Sequence, residues 1–365
     1  MTDNTWPTVD TELIDDVTLY SAKLIIPVTG PVIIDGAVAI HGDRVVHVGK
    51  RRWVLKALKQ EMTAHGTIHE RHWDGVLTPG LINAHTHLQY SGMVQVGQGT
   101  YDRFRAWELA FNEVYAEAQK TQPWKQWAED GARQMVESGT TAAADIVTDL
   151  DAAGALASQG MHGIAYWEVM GWHNAEWMEK GRTELIRQLR RMNEEQLPNL
   201  GISPHAPYTL ESEPFVDLPD IARQLNMRLH IHLAETPLEA GTYPPVLTTY
   251  SAADWSDHDW ESYRQLKEVG KGASAIQFVD QLGSLGPDVH IAHGVWANGE
   301  DRRILRQRGV GVALCPRSNR ITNTGKDAPV REYLEEGNLV SVGTDSLSST
   351  PTLDLLDDVS MLYDL

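Results

Sequence analysis

The chain has 365 residues, 42% hydrophobic and 22% charged, which is enough apolar material for a sizeable core in one extended domain or in two domains. Its formal net charge of −19 argues against nucleic acid or an anionic membrane as a partner, because both recruit positive surfaces. The lone cysteine, Cys315, cannot close an internal disulfide, residues 1–16 lack the apolar core of a secretory signal, and no apolar run approaches the ~20 residues of a membrane span, so a cytoplasmic protein is expected.

In chain order, residues 17–20, 22–28, 32–34, 37–40 and 45–48 are β-rich and separated by the turn pairs Thr29-Gly30, Asp35-Gly36 and Gly42-Asp43. They predict a small antiparallel sheet unit within residues 1–75. From about Val76, apolar strand-like runs alternate with helix-length segments, the pattern of a parallel α/β fold. Strands are expected at 75–87, 140–147, 163–170, 200–207, 228–235, 289–296, 309–316 and 339–345. Helices are expected at 103–119, 124–138, 175–196, 213–226, 299–308 and 328–336. Eight buried strands with helices between them fit a closed (β/α)8 TIM-type barrel over residues 76–365 better than an open sheet. Residues 239–271, rich in Tyr, Trp, Asp and Pro, read as an insertion after the fifth strand, where barrel loops build a substrate pocket.

The strongest local signal is Pro79-Gly80-Leu81-Ile82-Asn83-Ala84-His85-Thr86-His87. Residues two apart on a strand point the same way, so His85 and His87 present both imidazoles to one side, half of a Zn²⁺ or Fe²⁺ site. Alone, such a pair is equally readable as two structural histidines. Ligand types recur, however, at later strand ends: His230, His232 and Glu235 on the fifth, His290 and His293 on the sixth, Asp345 on the eighth. Polar groups inside a barrel are costly unless paired or bound to something, and all of these point at the C-terminal mouth. The residues themselves do not choose between His230 and His232, or between His290 and His293. Cys315 reads as a buried strand residue, since no histidine pairs with it in the sequence pattern. Trp107, Trp172 and Trp296 are placed to stack on a heterocycle or to pack the rim.

Taken together, PGLINAHTH, SPHAPYT, HIHLAET, AHG, CPRSN and GTDS, in this order from about Leu19 to the end, resemble the amidohydrolase superfamily. The similar branch holds cytosine/guanine-type and S-adenosylhomocysteine/methylthioadenosine-type deaminases together with triazine chlorohydrolases. The resemblance implies a small β-sandwich-like unit beside the barrel and metal ligands at His85, His87, His232 and Asp345. One divalent ion is implied, zinc expected with iron(II) the alternative, because the fourth strand carries Ser203-Pro204-His205 and no bridging lysine. It further implies Asp345 as base, Glu235 as the proton donor to a ring nitrogen, His293 as the group that holds the attacking hydroxide, and His205 as a substrate contact. His230 then packs behind the ligands. Glu108, beside Trp107, falls where related nucleoside deaminases hold ribose hydroxyls.

The implied activity is hydrolytic deamination, by water, of a small amino-heterocycle similar to an adenine nucleoside, with 6-amino-6-deoxyfutalosine foremost. Alternatives are S-adenosylhomocysteine/methylthioadenosine or guanine/cytosine-type deamination, triazine dechlorination or cyclic amide hydrolysis, and an inactive truncated relative. Arg317 is open between meeting a substrate carboxylate and a structural contact, and Glu168 between a pocket group and a salt-bridge partner. The sequence ends twenty residues after Asp345. Relatives return to the small sheet with further strands, so that unit is expected to be minimal, completed by a neighbouring chain (a homodimer being one arrangement) or shortened.

Overall fold

A computed structural model describes residues 13–194, 199–241, 266 and 269–365. Contacts divide the chain into two units, Met1–Gly80 and Leu81–Leu365. In the first, β1 (Ile14–Ile25), β2 (Ile33–His41), β3 (Arg44–Lys50) and β4 (Met62–Leu77) form one sheet in the order β3-β2-β1-β4. Alternation along β1 and β2 turns Val17, Leu19, Ala37 and Ala39 to one face, where they bury against Val54 and Leu58 of the helix Arg51–Glu61. The spacing of Val54 and Leu58 puts both on one side of that helix.

Three expectations change here. The sheet is mixed rather than antiparallel, because the helix carries the chain back and β4 pairs with β1 in parallel, as a parallel partner requires a crossover. Among the described residues the unit is a single sheet with one covering helix, not a sandwich. The run at 75–87 is likewise two strands: β4 ends at Leu77, whose carbonyl accepts from Ile26 N–H at 2.9 Å, and the next strand starts at Leu81 beyond Pro79-Gly80.

In the second unit β5 (Leu81–Thr86), β6 (Thr140–Val147), β7 (His162–Val169), β8 (Leu200–Pro204), β9 (Arg228–Leu233), β10 (Val289–His293), β11 (Gly311–Leu314) and β12 (Leu339–Val342) form an eight-stranded sheet in sequential order, all neighbours parallel. Helices Phe104–Thr121, Trp124–Glu137, Arg182–Glu194, Ser212–Gln224, Gly299–Arg308 and Val330–Glu335 fall between the strands close to where the sequence places them. The ends of the sheet meet to give a nearly closed (β/α)8 barrel. Past β12, Thr344 N–H donates to Asn83 Oδ1 (3.1 Å) and Asp345 N–H to the His85 carbonyl (3.0 Å). Only glycine fits at Gly343, since a Cβ there would stand 2.7–2.9 Å from His85 atoms. Strand interiors are close to continuously buried, as in β9, the pattern of a sheet covered on both faces. No helix among the described residues is long and apolar enough to cross a membrane. Most of the expected insertion at 239–271 lies outside the described residues.

Candidate active site

The sheet register brings chemistry from the ends of three strands to the same end of the barrel. His85 ends β5 with His87 just beyond it, His232 lies on β9, and Asp345 follows β12. All four are buried. His87 Nε2 and His232 Nε2 are 3.2 Å apart, and Asp345 Oδ1 lies 3.7 Å from both His85 Nε2 and His87 Nε2. A tetrahedral site with bonds of roughly 2.0–2.1 Å has ligand–ligand edges of about 3.3 Å, so these spacings suit one small cation. The protonation pattern suits it too. Burial, with the neighbouring histidines adding to it, holds His85 and His232 well below the usual imidazole range, and burial brings His87 down to about 4. Neutral rings offer lone pairs. The His205 carbonyl takes the Nδ1 proton of His232 at 3.0 Å, leaving its Nε2 bare towards the centre. His85 Nε2 is buried with no hydrogen-bond partner among the described residues. An unmatched buried acceptor costs about 1–3 kcal/mol, and a bound ion is the economical remedy.

His230 does not enter this cluster. Its Nε2 meets His85 Nδ1 at 2.9 Å and the two rings stack, so it orients His85 from behind. His290 turns away to Ser341 Oγ at 3.0 Å, whereas His293 faces the mouth. His293 Nδ1 donates to Asn319 Oδ1 at 2.9 Å, and its Nε2 lies 3.5 Å from Glu235 Oε1. Burial opposes a charge on His293, but Glu235, Asp345 and Asn319 outweigh it and raise its pKa. Burial also raises Glu235, against the opposing pull of His293; Tyr208 O–H donates to its Oε2 at 3.0 Å. Asp345 is held as an acceptor, Oδ2 by Ser318 O–H at 2.7 Å and Oδ1 by Ser346 N–H at 2.8 Å. Ala234, His293 and Asp345 all sit at positive φ (54°, 73° and 62°), a strained backbone for residues with a Cβ, at the ends of three strands that supply the site.

The remaining predicted residues separate into two groups. Trp107, Glu108, Glu168 and His205 line the same pocket as His87, His232, Glu235, His293 and Asp345. Trp107 is fixed there by its Nε1–H on the Ser348 carbonyl (2.8 Å) and packs with Phe104 and Phe111 into an aromatic wall. Glu108 pairs with Arg105 at 2.7 Å. Burial, with Asp345 adding to it, pushes Glu168 up to about 8. Arg317 does not line the pocket. Its guanidinium donates to Asp358 (2.7 and 2.9 Å), Asp357 (3.0 Å), Thr352 Oγ1 and the carbonyls of Thr352 and Asp354, tying the helix Leu355–Tyr363 to the barrel. A planar fork so fully engaged has no face left for a substrate carboxylate. Trp172 packs on Trp177, and Trp296 Nε1–H donates to the Thr324 carbonyl; neither lines the pocket. Cys315 is buried, which pushes its thiol well above the usual range.

Several supporting groups escaped the sequence reading. Glu239, fully buried, accepts from the N–H groups of Ala234 (2.8 Å), Glu235 and Thr236 (both 2.9 Å), locking the turn that carries Glu235. Asp145 accepts Leu88 N–H at 2.9 Å and fixes the turn after His87; burial pushes it up to about 8. Ser318 and Asn319 stand inside the quoted CPRSN segment, where two polar residues at a strand end were the available signal.

The model of the Amidohydrolase family matches residues 76–243 and 246–365. A 5-methylthioadenosine/S-adenosylhomocysteine deaminase of Moorella thermoacetica is 30% identical over 344 residues, covering 91% of this chain and 70% of that protein. Two further curated relatives are spanned over only 62% and 61% of their length. The fold matches an adenosine deaminase of Xanthomonas campestris with bound zinc at a TM-score of 0.71 and 21% identity, covering 96% of this chain and 74% of that one. It matches the aminofutalosine deaminase of Helicobacter pylori, in complex with methylthio-coformycin, at 0.72 and 20%, covering 94% and 80%.

Proposed function

Because this chain belongs to the amidohydrolase family, we propose that it is a metal-dependent hydrolase that replaces the amino group of an adenine-nucleoside-like heterocycle by oxygen, releasing ammonia. The observation that carries the reading is the convergence of His85, His87, His232 and Asp345, with a bare nitrogen on His85, beside the buried pair Glu235 and His293. His85, His87, His232 and Asp345 would hold one divalent ion, zinc expected and iron(II) the alternative. Such an ion, when bound, lowers the pKa of its water towards ~7.

The chain's own groups account for the proton traffic. Asp345, fixed as an acceptor by Ser318 and the Ser346 N–H, takes the proton of the attacking water. Glu235, its carboxyl favoured in the protonated form by burial, gives its proton to the ring nitrogen next to the amino-bearing carbon, which makes that carbon electrophilic. His293, held by Asn319 and raised by Glu235 and Asp345, donates a hydrogen bond to the oxygen of the attacking water and holds it against the amino-bearing carbon. Collapse of that carbon expels the amine, which leaves as ammonia with the proton relayed through Asp345, while the hydroxyl's remaining proton restores Glu235 as the carbon–oxygen double bond forms. Trp107 and its aromatic neighbours supply a face on which a flat ring stacks.

With Arg317 committed to Asp358, a substrate carboxylate such as that of 6-amino-6-deoxyfutalosine lacks the partner that the sequence left open, and neutral adenine nucleosides become the better-supported substrates. The test is ammonia release by zinc-reconstituted protein against adenosine-like, guanine-like, cytosine-like and triazine compounds, 6-amino-6-deoxyfutalosine included. Release from an adenine nucleoside supports the reading. Chloride or a ring-opened acid in place of ammonia would refute it.

A further inference from the structure

The ring of His232 has two working edges. Its Nε2 edge faces His87, while its Nδ1 edge faces a second set of polar atoms on the wall of the same pocket: the carboxyl of Glu168 at the end of β7 and the ring of His205 just past β8. Glu168 Oε1 is buried and has no hydrogen-bond partner among the described residues. It lies 3.8 Å from His232 Nδ1 and 3.9 Å from His205 Nε2, both too far for a hydrogen bond, and His232 Nδ1 already serves the His205 carbonyl.

The tautomer of His205 follows from its neighbours. The Thr209 hydroxyl has one hydrogen, which goes to the Ala206 carbonyl at 3.2 Å. Its lone pair is therefore what faces His205 Nδ1 at 2.8 Å, and Nδ1 carries the proton. With the proton on Nδ1, the ring's Nε2 is left as a bare acceptor. The pocket wall thus presents two acceptors 3.9 Å apart, and an atom about 2.9 Å from each fits between them. Among the described residues that line the pocket there is no lysine or arginine to fill that place.

We propose that Glu168 and His205 form a two-acceptor clamp for a substrate group carrying two polar hydrogens, an amine or a vicinal diol, distinct from the amine that leaves. The clamp rests on the deaminase reading, which places the leaving amine at Glu235 and His293. It sets which compounds bind well: those with donors at this position, and not those with a carboxylate there.

The test compares matched pairs of adenine nucleosides with zinc-loaded protein. One pair differs by an added ring amine (2-aminoadenosine against adenosine), the other by loss of one ribose hydroxyl (adenosine against 3′-deoxyadenosine). In the wild type one pair should differ tenfold or more in kcat/KM in favour of the donor, and which pair it is distinguishes amine from diol. In Glu168→Gln, whose amide nitrogen places a donor against His205, that preference should fall to within twofold of unity. The substrate-side deletion stands in the wild type even where the variant folds poorly. A preference that survives Glu168→Gln unchanged, no preference in either pair, or a second zinc per chain that Glu168→Gln removes would each overturn the clamp. Should no compound release ammonia, the deaminase reading falls by itself; the same pairs measured by titration calorimetry still report whether Glu168 reads the donor.

Discussion

Replacing Arg317 by alanine separates its two possible roles by stability rather than by activity alone. Asp358, with no exposed side-chain surface, and Arg317, with 11%, form a buried pair, so removing the cation leaves a carboxylate stranded in the interior. Breaking such a pair from one side costs about 3–5 kcal/mol. Asp357 is largely exposed, so its share is small. The sign of the pH dependence follows from Asp358, whose pKa burial raises while Arg317 pulls it down. Without Arg317 only the raising influence remains, and the folded variant takes up a proton that the unfolded chain releases at lower pH. The Arg317→Ala deficit is therefore largest at neutral pH and shrinks on acidification by up to about 1.4 kcal/mol per pH unit until Asp358 is protonated in both proteins. Urea unfolding of both proteins at pH 5 and pH 7.5 measures this, with Arg317→Ala/Asp358→Asn recovering part of the loss. A variant within 1 kcal/mol of wild type at both values, together with a KM that rises only for carboxylate-bearing substrates, would refute the structural assignment and return Arg317 to the substrate.

The site itself yields three further expectations. His87→Ala and Asp345→Ala should each abolish ammonia release and lower the zinc bound per chain, read by elemental analysis; full zinc content in both would remove these residues from the metal set. Glu235→Gln should retain zinc yet lose about 10²–10⁴-fold in kcat, whereas a wild-type rate would strike Glu235 from the mechanism. Glu239→Gln places an amide donor against one or more of the N–H groups of Ala234, Glu235 and Thr236, so it should leave zinc in place and lower kcat by about tenfold or more; loss confined to stability, with kcat untouched, would make Glu239 purely structural.

The barrel was legible because its strands are buried on both faces and its helices are not, a contrast in periodicity that a single sequence carries. Thr140–Val147 and Gly299–Arg308 stand where the pattern places them. The Gly299–Arg308 helix announces itself by an Asn298/Asp301 capping box and by Gly309 at its end. The helix Arg51–Glu61 went unseen because it lacks those signals: Lys50 makes no side-chain cap and no acidic residue opens its first turn. Without that helix, the parallel pairing of β4 with β1 was not predictable from turn pairs, which speak only for hairpins. The histidine pair on β5 was readable from strand period. The choice between His230 and His232 was not, because both project to the same side and only the distances to His85 and His87 tell them apart. Glu239 stayed hidden because its partners are backbone N–H groups. Arg317 was undecidable because the carboxylate that holds it lies 41 residues further on.

The barrel mouth departs from the rules that the rest of the fold obeys, and the departures share one direction. Ala234, His293 and Asp345 hold left-handed backbone at roughly 1–3 kcal/mol each, and Glu168, Glu235, Glu239 and Asp145 are carboxyls buried far enough to be raised towards neutrality. A protein selected for stability alone would replace such groups with apolar ones, as it does along the strands below. What the strain accomplishes is orientation. Each left-handed residue is at or next to a member of the site: Ala234 beside Glu235, His293 and Asp345 themselves. The turns they create aim side chains inward from strands whose regular alternation would send every second residue elsewhere. Neutral imidazoles and carboxyls whose pKa burial has raised are also suited to bind a cation and pass protons. The same burial that destabilises these groups in the fold therefore sets the protonation states on which the proposed chemistry depends.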